Sequence, residues 1–317
     1  MATSVRAVSD GRPSGWRSKL YRLDTKASPY AYIAPFFLCF AAFGLFPLIY
    51  TGWLSLNRVQ LGTSAHWVGL KNYTELWNNQ FFWTALRNTF TLGLISTVPQ
   101  LLMALGLAHL LNYRLKARGF FRVAVLAPYA TSIAAASLVF VQLFNPDYGM
   151  INQLLGHLGV DPVQWSSSKW PAQIAISSIV TWRWTGYNAL IYLAAMQAVP
   201  ADLYEAAALD GASRWRQFLS VTIPSIRPTI FFTIIVSTIG ATQLFGEPLI
   251  YGGNSSSGGS AHQYQTLSLY MYDKGWQVGE LGQASAVAWV MLLILLLIGA
   301  VQLLVLRRNN NRRKLGG

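Results

Sequence analysis

Pro200-Ala201-Asp202-Leu203-Tyr204-Glu205-Ala206-Ala207-Ala208-Leu209-Asp210-Gly211-Ala212-Ser213-Arg214-Trp215-Arg216-Gln217-Phe218-Leu219-Ser220-Val221-Thr222-Ile223-Pro224 spells helix, turn, helix. Asp202 can cap the first helix, and Glu205 three residues on completes a capping box. Gly211 is placed to end that helix in a left-handed conformation. Ser213 can cap a second helix, which stops near Pro224. The surface of the pair is short and apolar, with Ala206, Ala207, Leu209, Phe218 and Leu219. Such a rigid knob suits docking into a groove on another protein. On local physics alone, the same residues could equally just terminate the preceding helix neatly.

On both sides of this segment the chain is apolar. Of its 317 residues 53% are hydrophobic and 11% charged, against about 25% charged in a typical soluble domain. About 20 apolar residues cross a bilayer core as a helix. Charge-poor runs predict six transmembrane helices, near 32–56, 86–111, 121–144, 173–198, 229–250 and 282–306. The knob falls between the fourth and fifth. A basic arm over 1–30 precedes the first helix (31–57), and a basic tail over 307–317 follows the last. Arm and tail are expected to be largely disordered and drawn to anionic lipid.

The cations decide the orientation. Eighteen of the 24 fall in the N-terminal arm, the second connection (Arg114 to Arg122), the knob connection (Arg214, Arg216, Arg227) and the tail. Five lie on the opposite side: Arg58, Lys71, Arg87, Lys169 and Lys274. The positive-inside rule then puts both termini in the cytoplasm. It also accounts for the net charge of +13 without nucleic acid. The outer span ends carry the aromatics expected of a membrane interface, among them Trp53, Trp77, Trp83 and Trp276.

The knob also carries a longer pattern. Glu205-Ala206-Ala207, then Gly211, then Val221-Thr222-Ile223-Pro224 resembles the EAA loop of permease subunits of binding-protein-dependent ABC importers. The surrounding words look like the carbohydrate-uptake branch, on the maltose-permease-like side. One position departs: Val221 stands where Ile is usual. The likeness runs from about Phe82 to Leu306 and implies a permease core over 83–306. It implies an all-α, type I ABC importer permease fold in the bacterial inner membrane. It further implies partners: a second permease subunit, an ATPase dimer and an extracytoplasmic sugar-binding protein. Coupling to the ATPase would run through Glu205, Ala206, Ala207, Asp210 and Gly211.

Chemistry on this chain is sparse. No G-x-x-x-x-G-K-[ST] is present, so ATP and Mg belong on the partner ATPase and no cofactor is expected here. His66, His109, His157 and His262 have no ligand spacing for a metal, and no catalytic residues are evident. Cys39, inside an apolar run, reads as packing. The stretch Gly252 to Ser260 reads as a flexible outer loop beside the binding-protein docking face.

Polar groups at membrane depth mark a pathway or a partner. Arg183 lies roughly 24 Å above the inner end of span four and Glu247 roughly 27 Å above that of span five. The two are expected to pair or to face the pathway near its outer mouth, unless each snorkels. Sugar recognition needs aromatic faces and hydroxyl or amide groups. By resemblance to maltose-type permeases, the substrate contacts are Trp184, Tyr187, Asn188, Thr242 and Gln243, with Gln142 and Gln197 weaker. The expected cargo is a carbohydrate, a di- or oligosaccharide. The alternatives are an ABC permease for a solute such as a glycerol phosphate, or a stand-alone secondary transporter. A membrane-embedded enzyme would need a clustered set of acids, bases or ligands, which is missing.

Overall fold

The computed structural model describes residues 15–113 and 116–314, without the side chains of 15–27 and 306–314. It is helical almost throughout. Two compact units divide at Trp53 and Leu54. The first holds α1 (Gly15–Phe40), a π-helical turn (Ala41–Leu45) and most of α2 (Phe46–Ser55). Rings stack along it, Phe46 on Tyr50 and Tyr50 on Trp53.

In the second unit, strands β1 (Asn57–Arg58) and β2 (His66–Trp67) pair antiparallel, with Arg58 opposite His66. Then follow α3 (Lys71–Trp77), α4 (Gln80–Leu111), α5 (Arg118–Ala130), α6 (Ile133–Leu143), α7 (Met150–His157) and α8 (Lys169–Gln197). Next come α9 (Ala201–Leu209), α10 (Arg214–Gln217), a π-turn (Phe218–Thr222), α11 (Ile223–Ser225) and α12 (Arg227–Thr242). The chain closes with α13 (Gly246–Tyr251), α14 (Leu267–Tyr272) and α15 (Leu281–Lys314).

Three helical stretches, Ser28–Ser55, Gln80–Leu111 and Leu281–Val305, are long and apolar enough to cross a membrane. Two bent pairs are apolar enough when taken together, as broken spans or re-entrant loops: α5 with α6, bent by 88°, and α10–α11 with α12, bent by 69° at Ile226. The predicted third span is thus no single rod over 121–144. It stops at Ala130, two residues after Pro128, and restarts at Ile133. The predicted fifth span, 229–250, stops at Thr242 and restarts at Gly246. Backbone freed by such breaks must find protein partners, because lipid offers none.

Helix α8 is long enough to cross, about 43 Å at 1.5 Å per residue, but it is not among the stretches apolar enough to qualify. The reason is its place. Fifteen of its residues are buried, Gln173, Ser177, Arg183, Thr185 and Asn188 among them. It is the central helix, packed against protein over much of its length, where the candidate spans leave most of their residues exposed. Alanines bring it close to α4: Ala104 and Ala108 face Ala189, Tyr192 and Leu193 in one core, which Phe218 and Ile226 complete. Small residues at such an interface let backbones approach. Gly186 takes this furthest, since a Cβ there would overlap the Val125 carbonyl of α5.

Three further expectations are corrected. The backbone from Gly15 through Lys26, and from Arg307 to Lys314, is helical, continuing α1 and α15. The rest of arm and tail, and Arg114, lie outside the described residues. Cys39 is exposed on α1. The segment Gly252 to Ser260 is held in place by other residues. Gln265 Nε2 donates to the Ser256 carbonyl at 2.9 Å, Ser256 Oγ donates to Asp273, and a Cβ on Gly258 would overlap the Gln265 backbone.

Candidate functional site

The knob folds as its spacing predicts, with one exception. Helix α9 ends at Leu209, and Gly211 takes φ +76°. Ala212 N–H donates to the Ala207 carbonyl at 2.9 Å and Gly211 N–H to Ala208 at 3.0 Å, a full Schellman turn. Ser213 then caps α10, accepting from the Arg216 N–H at 3.4 Å. The exception is the capping box. Pro200 holds the N-cap position of α9, so Asp202 sits within the first turn and makes no capping bond. Its charge still complements the helix N-terminus.

Glu205, Ala206, Asp210 and Gly211 are exposed and Ala207 half-buried. Leu209 is 90% exposed, an apolar tip beside the acidic Asp210. The knob is braced from below. Tyr204 and Thr222 share a hydrogen bond of 2.9 Å across the turn. Phe218 packs 4.2 Å from the His109 ring of α4, and the Arg214 guanidinium lies over the Tyr113 ring at 5.5 Å.

At membrane depth the predicted residues divide. Arg183 Nη1 donates to Glu247 Oε1 at 3.0 Å, and both side chains are less than one-tenth exposed. Arg183 Nη2 also reaches the Thr131 carbonyl at 3.4 Å, at the break between α5 and α6. Glu247 lies in the first turn of α13, just after the second break. The ion pair therefore ties the α5–α6 break to the start of α13.

Trp184, Tyr187 and Asn188 line one cavity of about 50 Å³ with Thr97 and Gln100 of α4 and Ser237, Gly240 and Leu244. Tyr129 of α5 stacks on Tyr187 at 4.7 Å and meets Trp184 edge-on at 5.2 Å. No charged residue lines this cavity. That is room for a few waters at most, well below the roughly 300–1,000 Å³ of ligand pockets. Thr242 lies elsewhere. Its hydroxyl donates to backbone carbonyls of its own helix, and it borders an apolar groove of about 450 Å³ between α4, α12 and α15. Gln243 is exposed at the break, and Gln142 and Gln197 are exposed at helix ends.

Sequence reasoning missed Gln100, Thr97 and Tyr129, whose positions look like ordinary points on apolar spans. It also missed an outer polar network. Thr91 donates to Gln173 at 2.7 Å, and Gln173 donates to Asn88 at 3.1 Å and to the Gln263 carbonyl at 2.9 Å. Asn88 in turn holds the His262 carbonyl at 2.7 Å. These bonds pin the outer loop onto α4 and α8.

Residues 100–314 match the family model described as "Binding-protein-dependent transport system inner membrane component". The chain belongs to that family. Relatives of the permease cover most of its length. It is 36% identical over 83% of its chain to the lactose transport system permease protein of Rhizobium radiobacter, spanning 88% of that protein. It is 35% identical over 90% of both chains to the arabinooligosaccharides transport system permease protein of Bacillus subtilis. Among solved structures, it shares its fold with a chain of a bacterial alginate ABC transporter in complex with its pentasaccharide-bound periplasmic protein. The TM-score is 0.74 at 23% identity, over 92% of this chain and 96% of that one.

Proposed function

We propose that this permease imports a carbohydrate, a di- or oligosaccharide, as one of two membrane subunits of an ABC importer. A separate ATPase dimer hydrolyses ATP with Mg, and an extracytoplasmic binding protein delivers the sugar. The observation that carries this reading is the exposed α9–turn–α10 knob, braced on α4 through Phe218, on a chain whose relatives bear the names of sugar permeases. Glu205, Ala206, Ala207, Asp210 and Gly211 engage the ATPase, and Leu209 enters an apolar depression on it.

Six crossings with both termini cytoplasmic fit the cation pattern, with the third and fifth crossings broken. The permease core spans 83–306, after a separate first helix over 31–57. The arm (1–30) and the tail (307–317) lie on the cytoplasmic side. The pathway runs past Trp184, Tyr187 and Asn188, with Thr242 and Gln243 at its flank. The Arg183–Glu247 pair holds the backbone around the outer mouth.

A glycerol phosphate is disfavoured as cargo. Its phosphate would need a free cation, and Arg183 is already neutralised by Glu247. The same pairing removes the intramembrane acid that a secondary transporter would use for its coupling ion.

The test is reconstitution of the complete importer in proteoliposomes with lactose, maltose, arabinotriose and sn-glycerol 3-phosphate as cargo. ATP-dependent uptake of at least one sugar is expected. Uptake without ATP, or of glycerol phosphate alone, would overturn the reading.

A further inference from the structure

Buried polar side chains along α4 are hydrogen-bonded with one conspicuous exception. Asn88, Thr89 and Ser96 are buried, and each finds partners. Gln100, one turn further in, is only 3% exposed, yet its amide meets no hydrogen-bond partner among the described residues. It borders the 50 Å³ cavity instead. An amide left unpaired at such depth costs free energy unless something else satisfies it. An apolar residue would fill this position at no such cost.

The surroundings show what kind of group would satisfy it. Asn188 makes a single long bond, to the Trp184 carbonyl at 3.4 Å, so its oxygen is also open. Ser237 contributes a further hydroxyl, and the Trp184 and Tyr187 rings form one wall. Gln100, Asn188 and Ser237 lie roughly 16, 14 and 15 Å from the inner ends of α4, α8 and α12. Three helices thus present neutral donors and acceptors at one level, beside aromatic faces and with no charge. That set matches a neutral polyol, whose hydroxyls both donate and accept and whose C–H faces lie against rings.

We infer that Gln100 is a specificity-determining residue of the pathway, where α4 supplies a hydrogen-bonding subsite for a sugar hydroxyl in transit. The inference rests on the carbohydrate reading above and adds α4 to a pathway otherwise drawn from α8 and α12. A sugar enters only when the cavity widens, so the amide is satisfied by water at rest and by the sugar in passage.

Two measurements on the assembled importer test this. Gln100→Leu keeps roughly the same volume and removes the amide. It should slow uptake of the best-transported panel sugar about tenfold while leaving ATP hydrolysis without sugar unchanged. The second uses the fact that Cys39 is the sole cysteine of the chain. In a Cys39→Ser background, Gln100→Cys should react with a water-soluble thiosulfonate reagent, and the panel sugar should slow that reaction. Leu102→Cys, 65% exposed and outside this cavity, should show no protection. This labelling decides the matter if Gln100→Leu fails to assemble. If the thiol of the Gln100→Cys variant is unreactive or unprotected, while Tyr187→Ala and Asn188→Ala still abolish uptake, this inference is overturned and the pathway reading stands. If Tyr187→Ala, Asn188→Ala and Gln100→Leu all leave uptake intact, both fall.

Discussion

Arg183 and Glu247, distant in sequence, meet at 3.0 Å inside the protein, and the same guanidinium holds the Thr131 carbonyl. Removing one partner leaves the other charge buried and uncompensated, which costs about 3–5 kcal/mol. Arg183→Ala and Glu247→Ala should each lower the thermal midpoint in detergent sharply. The reversal Arg183→Glu/Glu247→Arg should regain part of the loss, the remainder reflecting the Thr131 carbonyl left without its donor. A double reversal no better than either single change would show that the pair does not stabilise the fold.

Gly186 sits where α5 crosses α8, with no room for a Cβ against the Val125 carbonyl. Gly186→Ala must push the helices apart and should destabilise by about 1–3 kcal/mol. Gly240, whose Cβ would meet nothing within 4 Å, serves as the control. Gly240→Ala should leave the midpoint unchanged, or raise it slightly through better helix propensity. Parallel melting curves of the two variants decide this.

Gly211 has φ +76° but open space around its missing Cβ. Gly211→Ala therefore strains only the backbone, by about 1–2 kcal/mol. The membrane helices should stay assembled while the turn after α9 distorts. Sugar-stimulated ATP hydrolysis should fall several-fold with little change in the amount of complex purified. A loss of assembly in proportion to activity would point to a purely structural role.

Tyr270 lies in α14, outside the candidate spans, buried and with no partner for its hydroxyl among the described residues. Burial, and then the Asp273 and Glu280 carboxylates, push its phenol up to about 12. Between its ordinary value near 10 and about 12, the unfolded chain releases this proton and the folded one keeps it. Stability should therefore fall as pH rises through that window. Tyr270→Phe should flatten the fall and add about 1 kcal/mol at neutral pH by deleting an orphan hydroxyl. Melting temperatures from about pH 8 to about pH 11.5 test both effects.

The knob was legible because its rules are local. A glycine after a helix and a serine two residues later act over one or two turns, and both do here what their spacing predicts. The Arg183–Glu247 pairing was legible as one of a few options, because ionisable residues are rare at that depth and equal rise along two helices matched them. The breaks were not legible. The α5–α6 break needs Arg183, 52 positions away, to take up the Thr131 carbonyl, and Pro128 alone does not announce that. Gln100 escaped notice for a related reason. One glutamine in an apolar run carries no periodic signal, and only packing reveals whether its amide has company. The capping box failed because Pro200 already occupies the N-cap, so Asp202 lies too late in the turn to cap it.

The Tyr204–Thr222 bond has a mechanical consequence. With the Schellman turn at one corner and this strut across the base, the knob is a triangulated truss. A truss transmits displacement without folding at its joints. If the proposed ATPase pushes on the Leu209 apex, this strut carries the stroke toward the base of α12, and Phe218 against His109 shares it with α4. Replacing Tyr204 by Phe would open one edge of the triangle and turn a stiff crank into a compliant one.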